Sequence, residues 1–390
     1  MKNLPNRVCC AAFRGAGVIF MPFCNTLMKP SILEKAHSLI RFFLHKKLYV
    51  NPSLTYYSDQ ELKSEFQIIK DQLRHIWRFG FINQDYYVLG IDVKGENWED
   101  YIPAIYSLKV LAQQNKKWPN NERGFNYVLS LDDKWFFAQF MENAGFPIPQ
   151  TLGLLYYGKL MWNHSAGELV DIGELLTSSG RYLLKPILGL SGKGIIPVEI
   201  IDHKLFSQGK EMSVAELREA VKGERYLIQA YVTNQHPGMN ALFDKSLNTI
   251  RVTMVRTETG IDILGVMCLM GASDSAYSNW HYGGICVKVD EEGRLGKYGY
   301  SMSKKRITQH PDTGLVFENY TLPCFRETLA LCEQAMNAYY GMKTIGWDVA
   351  VTEDGPILLE GNPGWGLIAH QMVEHRGWAD KYRKYFGIKF

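Results

Sequence analysis

The stretch Gly346-Trp-Asp348-Val-Ala-Val-Thr-Glu-Asp-Gly355-Pro-Ile-Leu-Leu-Glu360-Gly-Asn362 constrains this chain more than any other segment. Two β-type runs flank Glu353-Asp354-Gly355, a triplet that suits a three-residue hairpin loop ending in the left-handed conformation glycine adopts without steric cost. In that register Thr352 faces Pro356 and Asp348 faces Glu360. Side chains alternate along a strand, so Asp348, Ala350, Leu358, Glu360 and Asn362 share one face, and Val349, Val351, Ile357 and Leu359 the other. The second face is apolar and reads as core. The first gathers two carboxylates and an amide where the strands leave the hairpin. Directly opposed like charges destabilise a sheet, and a divalent cation such as Mg²⁺ removes that penalty. Two readings stay open, because one carboxylate could instead pair with a Lys or Arg while the other is solvated. A one-residue slip would also send Asp348 and Glu360 to opposite faces.

Two other segments carry candidate chemistry. In Tyr182-Leu-Leu-Lys185-Pro-Ile-Leu-Gly189-Leu-Ser191-Gly192-Lys193-Gly194, a lysine inside an apolar strand precedes a glycine-rich turn. Small residues let backbone N–H groups approach phosphate oxygens, and a lysine supplies a point charge. The spacing is too short for a Walker A loop, and a plain tight turn is the competing explanation. In Ser246-Leu-Asn248-Thr249-Ile-Arg251-Val-Thr253, Arg251 lies on a strand, where it clamps a phosphoryl oxygen or pairs with a carboxylate. His281, in a polar glycine loop, is a candidate for orienting an incoming group or simply an exposed loop residue.

Composition excludes several classes. With 46% apolar and 21% charged residues and a net charge of +3, the chain is neither disordered nor a nucleic-acid binder. Its only dense basic run, Lys304-Lys305-Arg306, reads as a solvated turn. Seven cysteines without C-x-x-C spacing suggest free thiols rather than a disulfide framework or zinc site. Residues 8–27 are apolar, but Arg14, Pro22 and Asn25 spoil a spanning helix and no cleavage site is evident, so a cytoplasmic protein without a stable membrane span is expected.

Along the chain, S-x-x-E boxes at Ser31/Glu34, Ser58/Glu61 and Ser213/Glu216 predict helix starts. After the second, Leu62, Phe66, Ile69, Leu73 and Ile76 form one apolar stripe on a helix ending at Gly80. Tyr86 to Ile91 reads as a short strand, and Asn115 to Asn126 as a linker. From Leu131 onward, short β-type runs interleave with helices without strict β-α-β repetition, which predicts an α+β fold.

In this order the elements resemble the ATP-grasp superfamily. Leu131-Asp-Asp-Lys134-Trp-Phe-Phe, with Pro147-Ile-Pro149 after it, is similar to that family's opening segment, in which a helix lysine contacts the nucleotide. The resemblance implies phosphate contacts for Lys185 and for the loop Gly189, Ser191, Gly192, Lys193 and Gly194. It implies an adenine-holding hinge at Gln229, Ala230, Tyr231 and Val232, with His236 placed where a ribose contact would be sought. Arg251 matches the arginine near the γ-phosphate, and Asp348, Glu360 and Asn362 match the metal-binding triad. Gln235-His236-Pro237 and Ser246 to Arg251 further resemble the sugar-transfer associated branch, named for exopolysaccharide and capsule synthesis. The expected fold is therefore two α+β lobes sandwiching ATP behind a mostly helical N-terminal region. Expected domains are 1–124, a substrate-binding candidate, 125–232, the lid, and 233–390, which carries the metal site. The implied activity is an ATP- and Mg²⁺-dependent ligase joining a small-molecule or saccharide-linked carboxylate to an amine through an acyl phosphate. A kinase on the same scaffold and a non-catalytic nucleotide-binding regulator of a glycosyltransferase complex are the alternatives. A homodimer is among the expected assemblies.

Overall fold

The computed structural model describes residues 30–118, 126–189, 192–273, 283–302 and 305–388. Residues 8–27, Ser191, His281, Lys304 and most of the expected linker lie outside the described residues. The chain divides into two compact units, one running to Tyr106 with His375–Ala379 added, the other Ser107–Glu374 with the residues from Asp380.

In the first unit, the Ser31/Glu34 box forms at the start of helix α1 (Ile32–Leu44), with the Ser31 oxygen accepting the Glu34 N–H at 3.1 Å. The expected Ser58/Glu61 box does not form. Leu62 instead bridges Val93, and Lys63 N–H donates to the Asp92 carbonyl at 2.7 Å, which keeps the chain extended. The helix starts later, at a Ser64/Gln67 box, and spans Glu65–Phe79 before a left-handed Gly80 (φ 83°). The buried face shifts accordingly to Ile68, Gln72, His75 and Ile76, leaving Phe66 exposed. Buried polar groups favour hydrogen-bonded positions, and Gln72 and His75 Nδ1 have them. The Gln72 amide donates to the Asn83 carbonyl and accepts the Asn83 N–H, both at 3.0 Å, while His75 Nδ1 meets the Phe81 carbonyl at 2.8 Å. Tyr86 to Ile91 forms successive turns rather than a strand, with Ile91 N–H donating to the Tyr86 carbonyl.

Burial lowers the pKa of His75 to about 4, opposed by its bond to Phe81 and assisted by Arg78. A base with a depressed folded pKa stabilises fully above the unfolded value, here 6.5, and loses that contribution as pH falls toward 4. The stability difference between wild type and His75→Leu should therefore shrink by roughly 2–3 kcal/mol between about pH 7 and 4.5. Urea unfolding at both pH values checks this, and a pH-independent difference would refute it.

The second unit holds two sheets in which every strand pair is antiparallel. Strands β1 (Thr151–Tyr156), β2 (Lys159–Trp162), β3 (Val170–Asp171), β4 (Gly180–Pro186), β5 (Ile196–Ile201), β6 (Lys204–Ser207), β7 (Lys210–Met212) and β8 (Arg225–Ala230) make the first, in the order β3-β2-β1-β8-β4-β5-β6-β7. Strands β9 (Thr249–Arg256), β10 (Ile261–Met270), β11 (Ile285–Val289), β12 (Leu295–Ser301), β13 (Lys305–Ile307), β14 (Thr344–Thr352) and β15 (Gly355–Asn362) make the second, in the order β13-β12-β11-β10-β9-β14-β15. The helix Phe325–Ala338 packs on β9, β14 and β15. Its Cys332 and Met336 join Ile250, Val252, Trp347 and Val349 in the second sheet's core. A separate core under the first sheet gathers Leu155, Leu184, Leu217 and Ile228.

The β14–β15 hairpin differs from the expected three-residue loop. Thr352 pairs with Gly355 across a two-residue turn, and the pairing runs through Val349↔Leu358 before a bulge shifts it to Asp348↔Glu360. The extra residue, Leu359, restores the expected opposition of the two carboxylates. Leu358 consequently joins Val349 and Val351 in the core, and Ile357 pairs with Ala350 instead.

Candidate active site

Pairing of β14 with β9 places Asp348 directly opposite Arg251. The guanidinium grips the carboxylate in a fork, Nε to Oδ1 at 2.6 Å and Nη2 to Oδ2 at 2.5 Å. In this arrangement Asp348 is ion-paired with Arg251. Glu360 stands across the hairpin, and Asn362 Nδ2 lies 3.3 Å from Asp348 Oδ2 and 3.4 Å from Glu360 Oε1. Two carboxylates, an amide and an arginine thus converge. Burial pushes the Asp348 carboxyl up to about 6, Arg251 opposes that rise, and the neighbouring Glu360 charge adds to it. For Glu360 burial acts upward too, but Lys134, Arg251, the Asp348 hydrogen bond and Lys185 together outweigh it and hold the group below its ordinary value.

Those lysines come from beyond the second sheet. Lys185 lies on β4, and its ammonium donates to Gln229 Oε1 on β8 at 2.7 Å. The Gln229 amide is fixed in turn by donating to the Pro149 carbonyl at 3.1 Å. Burial lowers the Lys185 pKa to about 8, with Glu360 opposing and Lys134 assisting. Lys134 opens the helix Lys134–Asn143, whose N-cap Asp133 accepts the Trp135 and Phe136 N–H groups. Its ammonium donates to the Gly189 carbonyl at 2.5 Å. Three cations from three elements therefore act on one carboxylate.

The remaining candidates are placed as follows. Gly192 and Gly194 are left-handed (φ 76° and 79°), and Lys193 between them is exposed. A Cβ on Gly189 would crowd Pro186 and the Lys193 carbonyl. At the expected hinge, Ala230 N–H donates to Gln150 and Tyr231 N–H to Arg181, and the Tyr231 ring lies under the Arg181 guanidinium. Val232 lies two residues past the end of β8. His236 caps the turn Pro237–Asn240, its Nδ1 accepting the Gly238 N–H at 3.0 Å. One neighbour of Arg251 was not singled out by the sequence. His370, fully buried on the helix Leu367–Glu374, meets Thr253 Oγ1 at 2.8 Å, and its pKa is depressed by burial and by Arg251. No local pattern signals it, since its partner lies 117 residues away.

Among the described residues, no three His, Cys, Asp or Glu side chains gather around a common point, so the metal candidate is two carboxylates plus an amide. A cleft of about 810 Å³ in the first unit, lined by Arg74, Trp77, Trp98 and Glu99 among others, contains none of these groups. No described helix is long and apolar enough to cross a membrane.

No curated protein matches the sequence. Among solved structures, the chain is similar to N5-carboxyaminoimidazole synthase from Aspergillus clavatus in complex with ADP, at 13% identity and TM-score 0.35, covering 68% of this chain and 53% of that one. It is also similar to D-alanine–D-alanine ligase from Bacillus anthracis complexed with ATP, at 14% identity and TM-score 0.38, covering 67% and 64%. D-alanyl-alanine synthetase A from Vibrio cholerae matches at 14% identity and TM-score 0.37, covering 64% and 61%. The chain thus spans between about half and two thirds of these proteins' length. The family described as Sugar-transfer associated ATP-grasp matches residues 114–385, which takes in both sheets and every candidate residue above. With that span matched, the chain belongs to the sugar-transfer associated ATP-grasp family.

Proposed function

We propose that this protein is an ATP- and Mg²⁺-dependent carboxylate–amine ligase that works through an acyl phosphate and serves exopolysaccharide or capsule synthesis in the cytoplasm. The observation that carries the reading is the convergence of Asp348, Glu360 and Asn362 with Arg251, Lys185 and Lys134. The Asp348 and Glu360 carboxylates are hard oxygen donors that suit Mg²⁺, and Asn362 would join them by turning its amide oxygen in place of Nδ2. Two opposed carboxylates in a largely buried site are a repulsion that a cation relieves. The metal, held by Asp348, Glu360 and Asn362, would neutralise phosphate charge.

The chain's own residues would do the rest by position and field. Lys185, kept in place by Gln229, and Lys134 present ammonium groups for phosphate oxygens. Arg251 can turn part of its fork from Asp348 toward the transferring phosphoryl group. A substrate carboxylate oxygen attacks the γ-phosphorus and ADP leaves. The amine then attacks the acyl carbon and inorganic phosphate departs with the proton balance completed by solvent. Loop Gly189 to Gly194 would close over the phosphates, and His281 would orient the incoming group. Adenine would be read by carbonyls of the β8 end, or by backbone past Tyr231, because the Ala230 and Tyr231 N–H groups already have acceptors.

Phosphate release from ATP and Mg²⁺, screened over acids and amines, tests the proposal. Release is expected only when an acid and an amine are both present. A phosphorylated product formed without amine and without free phosphate would establish the kinase reading instead. Nucleotide binding with no turnover of any pair would leave the regulator reading.

A further inference from the structure

We propose that helix α1 docks the protein onto an anionic lipid surface, lying in the plane of the interface; this inference does not rest on the ligase reading. One side of α1 is committed to the fold, with Phe42 fully buried and Ser38 Oγ donating to the Gly80 carbonyl at 2.7 Å. The opposite side is apolar as well. Leu33, Ile40 and Leu44 recur at steps of seven and four, which stacks them on one helix face, and Phe43 adjoins them. Their exposures are 81%, 61% and 74%, with Phe43 at 61% and Ile32 at 84%. Scattered exposed apolar residues need no explanation, but a continuous stripe of this size does.

Charge decides what covers it. From Ser31 to Val50 the chain carries Lys35, Arg41, Lys46 and Lys47 against a single acid, Glu34. This is the pattern of an interfacial helix, in which Leu, Ile and Phe enter the boundary between headgroups and acyl chains while lysines reach anionic headgroups. A second copy of the chain fits less well, because facing stripes would bring the two sets of cations together. An exposed Trp77, with the Lys35 ammonium 4.3 Å from its ring, adds an amphipathic aromatic of the type found at membrane interfaces.

Cosedimentation of the full chain with vesicles tests the proposal. Binding to phosphatidylcholine vesicles containing about a third phosphatidylglycerol should exceed binding to pure phosphatidylcholine by about tenfold or more, and should weaken with salt. Ile40→Glu with Leu44→Glu should abolish it, and Lys46→Glu with Lys47→Glu should remove the preference for anionic vesicles. These positions are exposed, and unchanged circular dichroism would show that the variants fold. Absence of binding, or equal binding by the variants, overturns the proposal. So does a dimer that only the apolar-stripe variants dissociate, an acidic protein captured in preference to vesicles, or binding that appears only after residues 1–29 are removed, which would make that segment the cover.

Discussion

Asp348→Asn should lower acid- and amine-dependent phosphate release by at least about a thousandfold, the scale expected when a preorganised charge is removed from a phosphoryl-transfer site. It should also destabilise the ligand-free protein by about 3 kcal/mol or more. The reason is the fork from Arg251, which would be left largely buried with, among the described residues, Glu360 as its remaining carboxylate neighbour. Removing one member of a buried ion pair strands the other in low dielectric, and that penalty exceeds the net worth of the pair. Urea unfolding and the phosphate assay read the two effects separately. Unchanged turnover would sink the metal and phosphate assignment, whereas unchanged stability would mean that the Arg251–Asp348 fork is not the resting state.

The second large effect concerns nucleotide affinity. Lys185→Ala should weaken ATP binding by about a hundredfold, because a charge-assisted contact in a buried site is worth roughly 2–3 kcal/mol. Gln229→Leu should weaken it less, since the ammonium remains and only its orientation is lost. Calorimetric titration of both variants with ATP checks the order. Affinities equal to wild type in Lys185→Ala would refute a phosphate role for this lysine.

Much of this site is written locally, and its remainder is not. Asp348, Glu360 and Asn362 could be grouped from one short hairpin, although the register holds because the bulge at Leu359 offsets a turn one residue shorter than expected. Arg251 and Asp348 could each be noticed, but their opposition depends on the β9–β14 pairing, which closes a 97-residue loop that no pattern announces. The same holds for the link from Lys185 to Gln229, and for His370 behind Thr253. Away from the site, the misplaced stripe of the helix Glu65–Phe79 has a physical cause. Gln72 and His75 lie off that apolar stripe, yet hydrogen bonds to backbone groups of Asn83 and Phe81 draw their face inward. Short edge strands such as β3 and β7 carry too few residues to show alternation at all.

The bulge at Leu359 has a consequence for how this hairpin can vary. Four steps separate Thr352 from Asp348 and five separate Gly355 from Glu360, so the two arms differ in parity. An odd mismatch on a lattice of period two turns one arm over unless a residue is skipped. Every single-residue insertion or deletion between the turn and the carboxylates is therefore a binary event. It either leaves both oxygens on the same side or sends one of them into the core, with no intermediate outcome, and changes in length are tolerated here only in compensating pairs or at Leu359 itself.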